Sequence, residues 1–235
     1  MDQENYWSDI DLKLKELTKN GYVKLPSLEH YGLDAIANKI SFDMNGDTFS
    51  ELCDSHKKFL QDLGVEKHLT PKLFQIARDT LGFKGDIHNQ YHIARRVEPG
   101  NSKEMYRAHF DSHLFTMVLP IKIPSAPSGE SIGELLYFSD ARSAPKSEIC
   151  NFLGKASFKR FVNKKGMEKL ALRQNLREDD FQDYCPLLFI GNTTLHTNRQ
   201  VSQVCSTYRL TLLAHFFDPN PRYGVGSFLR LIRNR

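Results

Sequence analysis

The chain has 235 residues, of which 40% are hydrophobic and 26% charged, so it can bury the core of one large domain and is neither disordered nor of low complexity. A mean hydropathy of −0.47 and the lack of any apolar run of about 18 residues exclude a transmembrane helix. The formal net charge of +4 is too small for a nucleic-acid-binding domain and slightly favours small anionic ligands.

The first third of the chain, about residues 1–85, has the pattern of packed helices. Apolar residues at helical spacing predict helices over residues 9–19, 33–40, 48–63 and 71–81. The predicted N-caps are Ser8, Thr48 and Thr70. Gly21 is predicted to end the first helix, before a short strand over residues 22–26. His56 falls inside a predicted helix and is expected at the surface.

From about residue 88 the pattern changes to strands. Segments rich in β-branched and aromatic residues predict strands over residues 88–97, 109–123, 134–138, 186–190 and 208–217. Strands without regular alternation with helices predict a mainly β sandwich or barrel with helices packed outside. A basic stretch, about residues 146–182, is predicted to be a helical insertion. No linker divides the sequence, so we expect a single domain over residues 1–235.

The residues that indicate chemistry begin at His109. If this segment is extended, the period of two places His109, Asp111 and His113 on one face and Phe110 on the other. One carboxylate with one or two imidazoles is half of a metal site, and two histidines with one carboxylate suit non-haem Fe(II). A further imidazole is expected elsewhere in the chain, with His113 as a competing ligand.

Two later features complete this pattern. His196 follows a predicted strand and a Gly-Asn turn. Arg209 and Thr211 share one face of an apolar strand, where a buried guanidinium is costly unless it meets an anion. The planar fork of Arg209 suits a carboxylate, and Thr211 can donate a hydrogen bond to the same group.

In this order, His109-x-Asp111, His196 and Arg209-x-Thr211 resemble the Fe(II)- and 2-oxoglutarate-dependent dioxygenases, and more narrowly the phytanoyl-CoA dioxygenase-like branch. Residues 21–26 (GYVKLP) and 133–138 (GELLYF) are similar to the entry segment and a mid-core strand of that branch. The resemblance spans about residues 8–218. It implies a double-stranded β-helix, the jelly-roll core also seen in cupins, with iron at one mouth of the barrel.

The resemblance also implies roles for these residues. His109, Asp111 and His196 would bind Fe(II), and Arg209 with Thr211 would hold the far carboxylate of 2-oxoglutarate. The implied reaction consumes 2-oxoglutarate and O2 and most simply hydroxylates a small metabolite, for which the basic residues favour an anion. Asp111 and His196 are 85 positions apart, which exceeds the usual family spacing, and we expect the basic insertion to shape substrate access.

Other residues and other functions are candidates as well. The candidates for contacting the substrate are Tyr91, Arg107, His113 and Arg142. His215 is expected to be a core histidine. One alternative is a cupin-like hydrolase or isomerase that uses His109, Asp111 and His113 without 2-oxoglutarate. Another is a non-catalytic binding module on the same barrel. The sequence identifies neither the primary substrate nor the oligomeric state.

The compartment is predicted from the cysteines and the start of the chain. No two cysteines form a CxxC pair, and the first residues are acidic and polar, unlike a signal peptide. The four expected reduced thiols are Cys53, Cys150, Cys185 and Cys205. We therefore predict a cytoplasmic protein.

Overall fold

The computed structural model describes residues 3–51, 54–101, 107–144 and 176–219. Helices precede most of the strands in chain order. The α-helices of these residues are α1 (Gln3–Tyr6), α2 (Ile10–Asn20), α3 (Leu33–Asp43), α4 (Asp54–Leu63) and α5 (Thr70–Leu81). A 3₁₀ turn spans Glu29–Tyr31, and a π-helical turn, Val65–Leu69, joins α4 to α5. No helix among the described residues is long and apolar enough to cross a bilayer.

The strands form two antiparallel sheets. They are β1 (Tyr22–Lys24), β2 (Phe49–Ser50), β3 (Gln90–Val97), β4 (Phe115–Lys122), β5 (Leu135–Phe138), β6 (Arg177–Asp179), β7 (Leu187–Ile190), β8 (Leu195–Asn198) and β9 (Arg209–Phe216). The large sheet has the order β1-β7-β4-β9-β3-β2, and the small sheet has the order β6-β5-β8. The predicted mainly β fold with helices outside is confirmed.

The alternation of β9 defines the two faces of the large sheet. Leu210, Leu212, Ala214 and Phe216 pack into the apolar core shared with the helices. Arg209, Thr211, Leu213 and His215 alternate with them and lie on the opposite face. Leu213 packs there against an apolar cluster that includes Leu135 and Tyr137 of β5. The second face of the large sheet therefore faces the small sheet, and the polar side chains of β9 lie in the barrel interior.

Several predicted helix starts are wrong. Asp9, not Ser8, precedes α2, and the Ser8 hydroxyl instead donates to the Asn5 carbonyl. Thr48 caps no helix, because the next residues pair with β3 as β2 and α4 begins only at Asp54. Thr70 is the first residue of α5 rather than its cap. The predicted end of α2 is correct, since Gly21 has a φ of +79° and donates to the Leu17 carbonyl.

Three further expectations fail. The strand predicted from residue 109 begins at Phe115, because residues 112–114 bend. Residues 177–179, expected to be helical, form β6 against β5. His56 is only 1% exposed, since its ring packs between α4 and β3 against His92. Residues 145–175 of the predicted basic insertion lie outside the described residues.

Candidate metal centre

His109 and His196 are neighbours across the end of the small sheet. The two residues form an isolated antiparallel bridge, with each backbone N–H donating to the other carbonyl at 3.0 Å. Asp111 lies two residues further on, and its backbone N–H donates to the Gly191 carbonyl at 3.1 Å. One ligand atom from each of His109, Asp111 and His196 lies within 4.8 Å of the others. The backbone therefore brings two imidazoles and one carboxylate close enough for a single metal ion.

The hydrogen bonds of the two imidazoles leave the correct nitrogen for a metal. His109 Nδ1 lies 2.8 Å from the Arg107 carbonyl, and His196 Nδ1 lies 3.2 Å from the Thr194 carbonyl. A carbonyl only accepts, so each Nδ1 carries the proton and each Nε2 has a free lone pair. Both Nε2 atoms lie 3.7 Å from a carboxylate oxygen of Asp111. This donor set fits Fe(II).

Asp111 is stabilised as a carboxylate. Burial alone would raise the pKa of Asp111, but His196, His215, His109 and the Thr116 hydrogen bond together hold it well below its ordinary value. The Thr116 hydroxyl donates to Oδ2 of Asp111 at 2.5 Å. The carboxylate therefore stays ionised at neutral pH, which is the form that binds a metal.

Arg209 is a buried cation in the barrel interior. It is 4% exposed, and its guanidinium lies 5.5 Å from the ring centre of Phe181. Among the described residues, no carboxylate forms an ion pair with it. Burial, and then the nearby Arg95, lower the pKa of Arg209 to about 9, although Glu134 and Asp179 act in the opposite direction. A buried guanidinium in such a position is stabilised by binding an anion.

The glycine at position 133 makes room for this arginine. A Cβ atom there would lie 3.2 Å from Cδ of Arg209 and 2.8 Å from Cγ2 of Val201. Thr211, two residues along β9, is 4% exposed and pairs in register with Arg95 of β3. Arg209 and Thr211 thus share the interior face, as the alternation of the strand predicted.

His113 does not join the three ligands. Its ring stacks on those of Tyr91 and His215, with ring centres 6.0 and 5.2 Å apart. The Tyr91 hydroxyl donates to Glu51. Tyr91 pairs in register with His215 and its ring stacks on that of His215, so it shares the interior face of the sheet, whereas His92 points toward α4.

The two candidate arginines of the substrate site are placed differently. The guanidinium of Arg142 lies 4.0 Å from the ring centre of Phe110, and its Nε donates to the Asn192 carbonyl at 2.8 Å. Arg142 is therefore close to the turn that holds Asp111. The Arg107 side chain is exposed, and the contribution of this residue to the site is its backbone carbonyl.

Comparisons with known proteins give matches in structure. No protein-family model and no curated protein matches the chain. A prolyl 4-hydroxylase from Phytophthora capsici is 12% identical, with 99% of this chain and 73% of that chain covered and a TM-score of 0.57. A Pseudomonas putida prolyl-4-hydroxylase is 14% identical, covering 92% and 95%, with a TM-score of 0.52.

A third similar structure is SnoK from nogalamycin biosynthesis, a non-heme alpha ketoglutarate dependent carbocyclase. It is 12% identical, with 93% of this chain and 90% of that chain covered and a TM-score of 0.56. The chain has the jelly-roll fold of the 2-oxoglutarate oxygenases. The narrower phytanoyl-CoA dioxygenase-like branch is not distinguished by these matches.

Sequence reasoning missed three residues around Asp111. Thr116 looked like one polar residue in an apolar strand, and His215 like a core histidine. Gly191 was noted only as part of a turn, yet a Cβ there would lie 2.7 Å from Oγ1 of Thr116 and 3.0 Å from Cβ of Asp111. The sequence alone does not pair Thr116 with His215, because the two residues are 99 positions apart and only the register of β4 with β9 brings them together.

Proposed function

We propose that this protein is an Fe(II)- and 2-oxoglutarate-dependent oxygenase in which His109, Asp111 and His196 bind the metal. The observation that carries the proposal is the meeting of two imidazole Nε2 atoms and one carboxylate at the end of the small sheet. The jelly-roll fold supports it, because oxygenases with this fold include a non-heme alpha ketoglutarate dependent enzyme.

Arg209 is the proposed partner of the 5-carboxylate of 2-oxoglutarate. Its guanidinium is buried on the interior face, and Thr211 lies beside it on the same strand. Arg95 links this anion site to the metal ligands, because it pairs in register with Thr211 and its Nη1 donates to Oδ1 of Asn198, two residues along β8 from His196. A bidentate guanidinium fixes both the position and the orientation of a dicarboxylate.

The residues of the protein orient the metal and the co-substrate in this reaction. When bound, the iron, 2-oxoglutarate and O2 would supply an oxidant for a C–H bond, with one oxygen atom of O2 entering succinate as 2-oxoglutarate loses CO2. His109 and His196 hold their Nε2 lone pairs toward one point, and Asp111 keeps its negative charge there. Phe181 and Phe189 are buried and lie beside Arg209 and His196, so they form apolar walls on that side of the site.

The proposed outcome is hydroxylation of a small anionic metabolite. Arg142, on the turn beside the ligands, is the best placed of the four candidates to meet an anion, and Tyr91 and His113 offer flat rings inside the barrel. Arg107 is exposed at the mouth. Within the oxygenases, the order of motifs in the sequence resembles that of the phytanoyl-CoA dioxygenase-like branch, which we propose for this protein, and we expect it in the cytoplasm.

The test is succinate formation from 2-oxoglutarate. The protein is incubated with Fe(II), ascorbate, 2-oxoglutarate and O2, and succinate is measured by mass spectrometry with and without pools of acidic metabolites. We expect slow succinate release that one pool accelerates. His109→Ala, Asp111→Ala and His196→Ala should each abolish it, whereas His30→Ala, at an exposed histidine, should not.

Two results would overturn the proposal. Full succinate release by His196→Ala, with loss in His113→Ala, would move the third ligand to position 113. Absence of 2-oxoglutarate binding to the Fe(II)-loaded wild-type protein under nitrogen would exclude the co-substrate altogether.

A further inference from the structure

A chain of hydrogen bonds reaches Asp111 from the large sheet. The Thr116 hydroxyl of β4 donates to Oδ2 of Asp111 at 2.5 Å. Its oxygen also lies 3.0 Å from Nδ1 of His215, the residue opposite Thr116 on β9. Thr116 is 1% exposed and His215 7%, so this chain is shielded from water. Neither residue belongs to the three proposed ligands.

The donor and the acceptor in each of these hydrogen bonds follow from the number of protons that each group carries. A hydroxyl has one proton, and an ionised carboxylate only accepts, so the Thr116 proton points to Asp111. The Thr116 oxygen must then accept from His215. His215 is therefore the tautomer with its proton on Nδ1.

We propose that Thr116 and His215 are positioning residues that fix the Asp111 carboxylate for coordination through one oxygen; this rests on the proposed function. Oδ2 accepts the Thr116 hydrogen bond and lies 3.7 Å from Nε2 of His196, whereas Oδ1 lies 3.7 Å from Nε2 of His109, so the bond from Thr116 distinguishes two oxygens that both face a histidine ligand. A carboxylate that binds through both oxygens would occupy one more position of a six-coordinate ion. Binding through one oxygen leaves three positions open for the co-substrates.

Gly191 leaves room for the hydrogen bonds among Asp111, Thr116 and His215, because it has no Cβ atom. A Cβ atom on Gly191 would lie 2.7 Å from the Thr116 oxygen and 3.0 Å from both Cβ of Asp111 and the His113 carbonyl oxygen. The same residue accepts from the Asp111 N–H and donates to the Leu114 carbonyl. Backbone and side-chain contacts therefore both define where the Asp111 carboxylate lies.

The hydrogen-bonded pair of Thr116 and His215 would be costly to bury if its role were purely structural. Two apolar residues at these facing positions would fill the space without hydrogen-bonding requirements. A hydroxyl and an imidazole that satisfy each other and the carboxylate instead serve to orient it, as outer partners of metal ligands commonly do.

The experiment measures Co(II) binding by calorimetry and visible absorption in Thr116→Val and Thr116→Ser. Valine keeps the shape and removes the hydroxyl, whereas serine retains it. We expect about ten- to a hundredfold weaker binding and an altered absorption spectrum for Thr116→Val. Thr116→Ser should restore both. The matched control is Thr70→Val, because Thr70 is also buried and its hydroxyl has no partner among the described residues.

The His215 link is tested in the same way. His215→Asn keeps a donor near the position of Nδ1 and should bind Co(II) more tightly than His215→Leu. A measurement that needs no variant is the ¹⁵N spectrum of the metal-free wild-type protein. It should show His215 protonated on Nδ1.

The outcomes separate this inference from the proposed function. If Thr116→Val binds Co(II) with unchanged affinity and spectrum, or His215 is protonated on Nε2, the positioning role is wrong while the metal site stands. If the wild-type protein binds Co(II) no better than His109→Ala does, the proposed function itself fails.

Discussion

Gly129 and Gly133 have the same backbone conformation, but only Gly133 lies against Arg209. Alanine at each position therefore distinguishes the effect of backbone strain from that of steric contact with Arg209. Gly133 and Gly129 both have a φ of +88°, a conformation that side chains disfavour. A Cβ at Gly129 would meet nothing within 4 Å, whereas one at Gly133 would press on Arg209 and Val201. The pair therefore tests whether the position of the Arg209 guanidinium matters.

Gly129→Ala should lose roughly 1–2 kcal/mol of stability from strain alone and bind 2-oxoglutarate normally. Gly133→Ala should lose more and also bind 2-oxoglutarate more weakly, because Arg209 must shift. Chemical denaturation and equilibrium binding to the Co(II)-loaded protein measure the two effects. Equal binding by both variants would show that a Cβ at position 133 does not displace the Arg209 guanidinium from the co-substrate.

For single residues, the sequence identifies the candidate metal ligands better than it identifies the residues that contact them. His109, Asp111 and His196 were predicted from order along the chain, and they converge because the bridge between His109 and His196 fixes them. Thr116 carried no signal, since one threonine in a buried strand is ordinary. Its meaning depends on facing His215 across two strands, which only the register reveals.

The contact between α4 and β3 buries two histidines. His56 and His92 have ring centres 6.0 Å apart, and Nε2 of His56 and Nδ1 of His92 have no hydrogen-bond partner among the described residues. Burial lowers the pKa of His56 to about 3 and that of His92 to about 4. Both are therefore neutral in the folded protein at pH 7.

This pair predicts acid sensitivity. The unfolded chain takes up protons near pH 6.5 and the folded protein only near pH 3–4, so stability is lost as the pH falls between these values. Each histidine contributes up to about 1.4 kcal/mol per pH unit. His56→Leu should flatten the fall in Tm between pH 6.5 and 4.5, whereas His30→Leu, at an exposed site, should not. Identical slopes in both variants would contradict this origin.

The sequence predicts strands correctly where the hydrophobic pattern is long or continuous. The strands β3 and β9 each run for eight residues and were placed within two residues of their ends. β5 and β7 have only four residues each but are predicted because all four are apolar, whereas β6 (RED) and β8 (LHTN) are short and largely polar, so neither shows a hydrophobic pattern. The sequence pattern predicts the start of a helix where β2 forms. The strand depends on pairing with β3, whose residues lie far along the chain, so a local pattern does not reveal it.

For the whole molecule, we expect two separable stabilisations by ligands. A ligand that binds only the folded state at a hundred times its Kd adds about 2.7 kcal/mol. Co(II) should therefore raise the Tm by roughly 5–10 °C, and 2-oxoglutarate should raise it further only when the metal is present. Thermal scans under nitrogen measure both shifts.

Two variants distinguish the metal site from the anion site in these scans. His196→Ala should lose both shifts, since the co-substrate also requires the metal. Arg209→Leu should keep the metal shift and lose the shift from 2-oxoglutarate. A 2-oxoglutarate shift that survives in Arg209→Leu would assign the anion to another residue.

The bridge between His109 and His196 also sets an order of events in folding. It joins residues that lie far apart in the chain, with β4, β5, β6 and β7 between them. Contacts of such separation form late, because a long loop must close first. We expect Co(II) to leave the refolding rate unchanged and to slow unfolding, which stopped-flow mixing measures. A metal-accelerated refolding phase would contradict this. The metal would then determine how long the native state persists rather than how quickly it is reached.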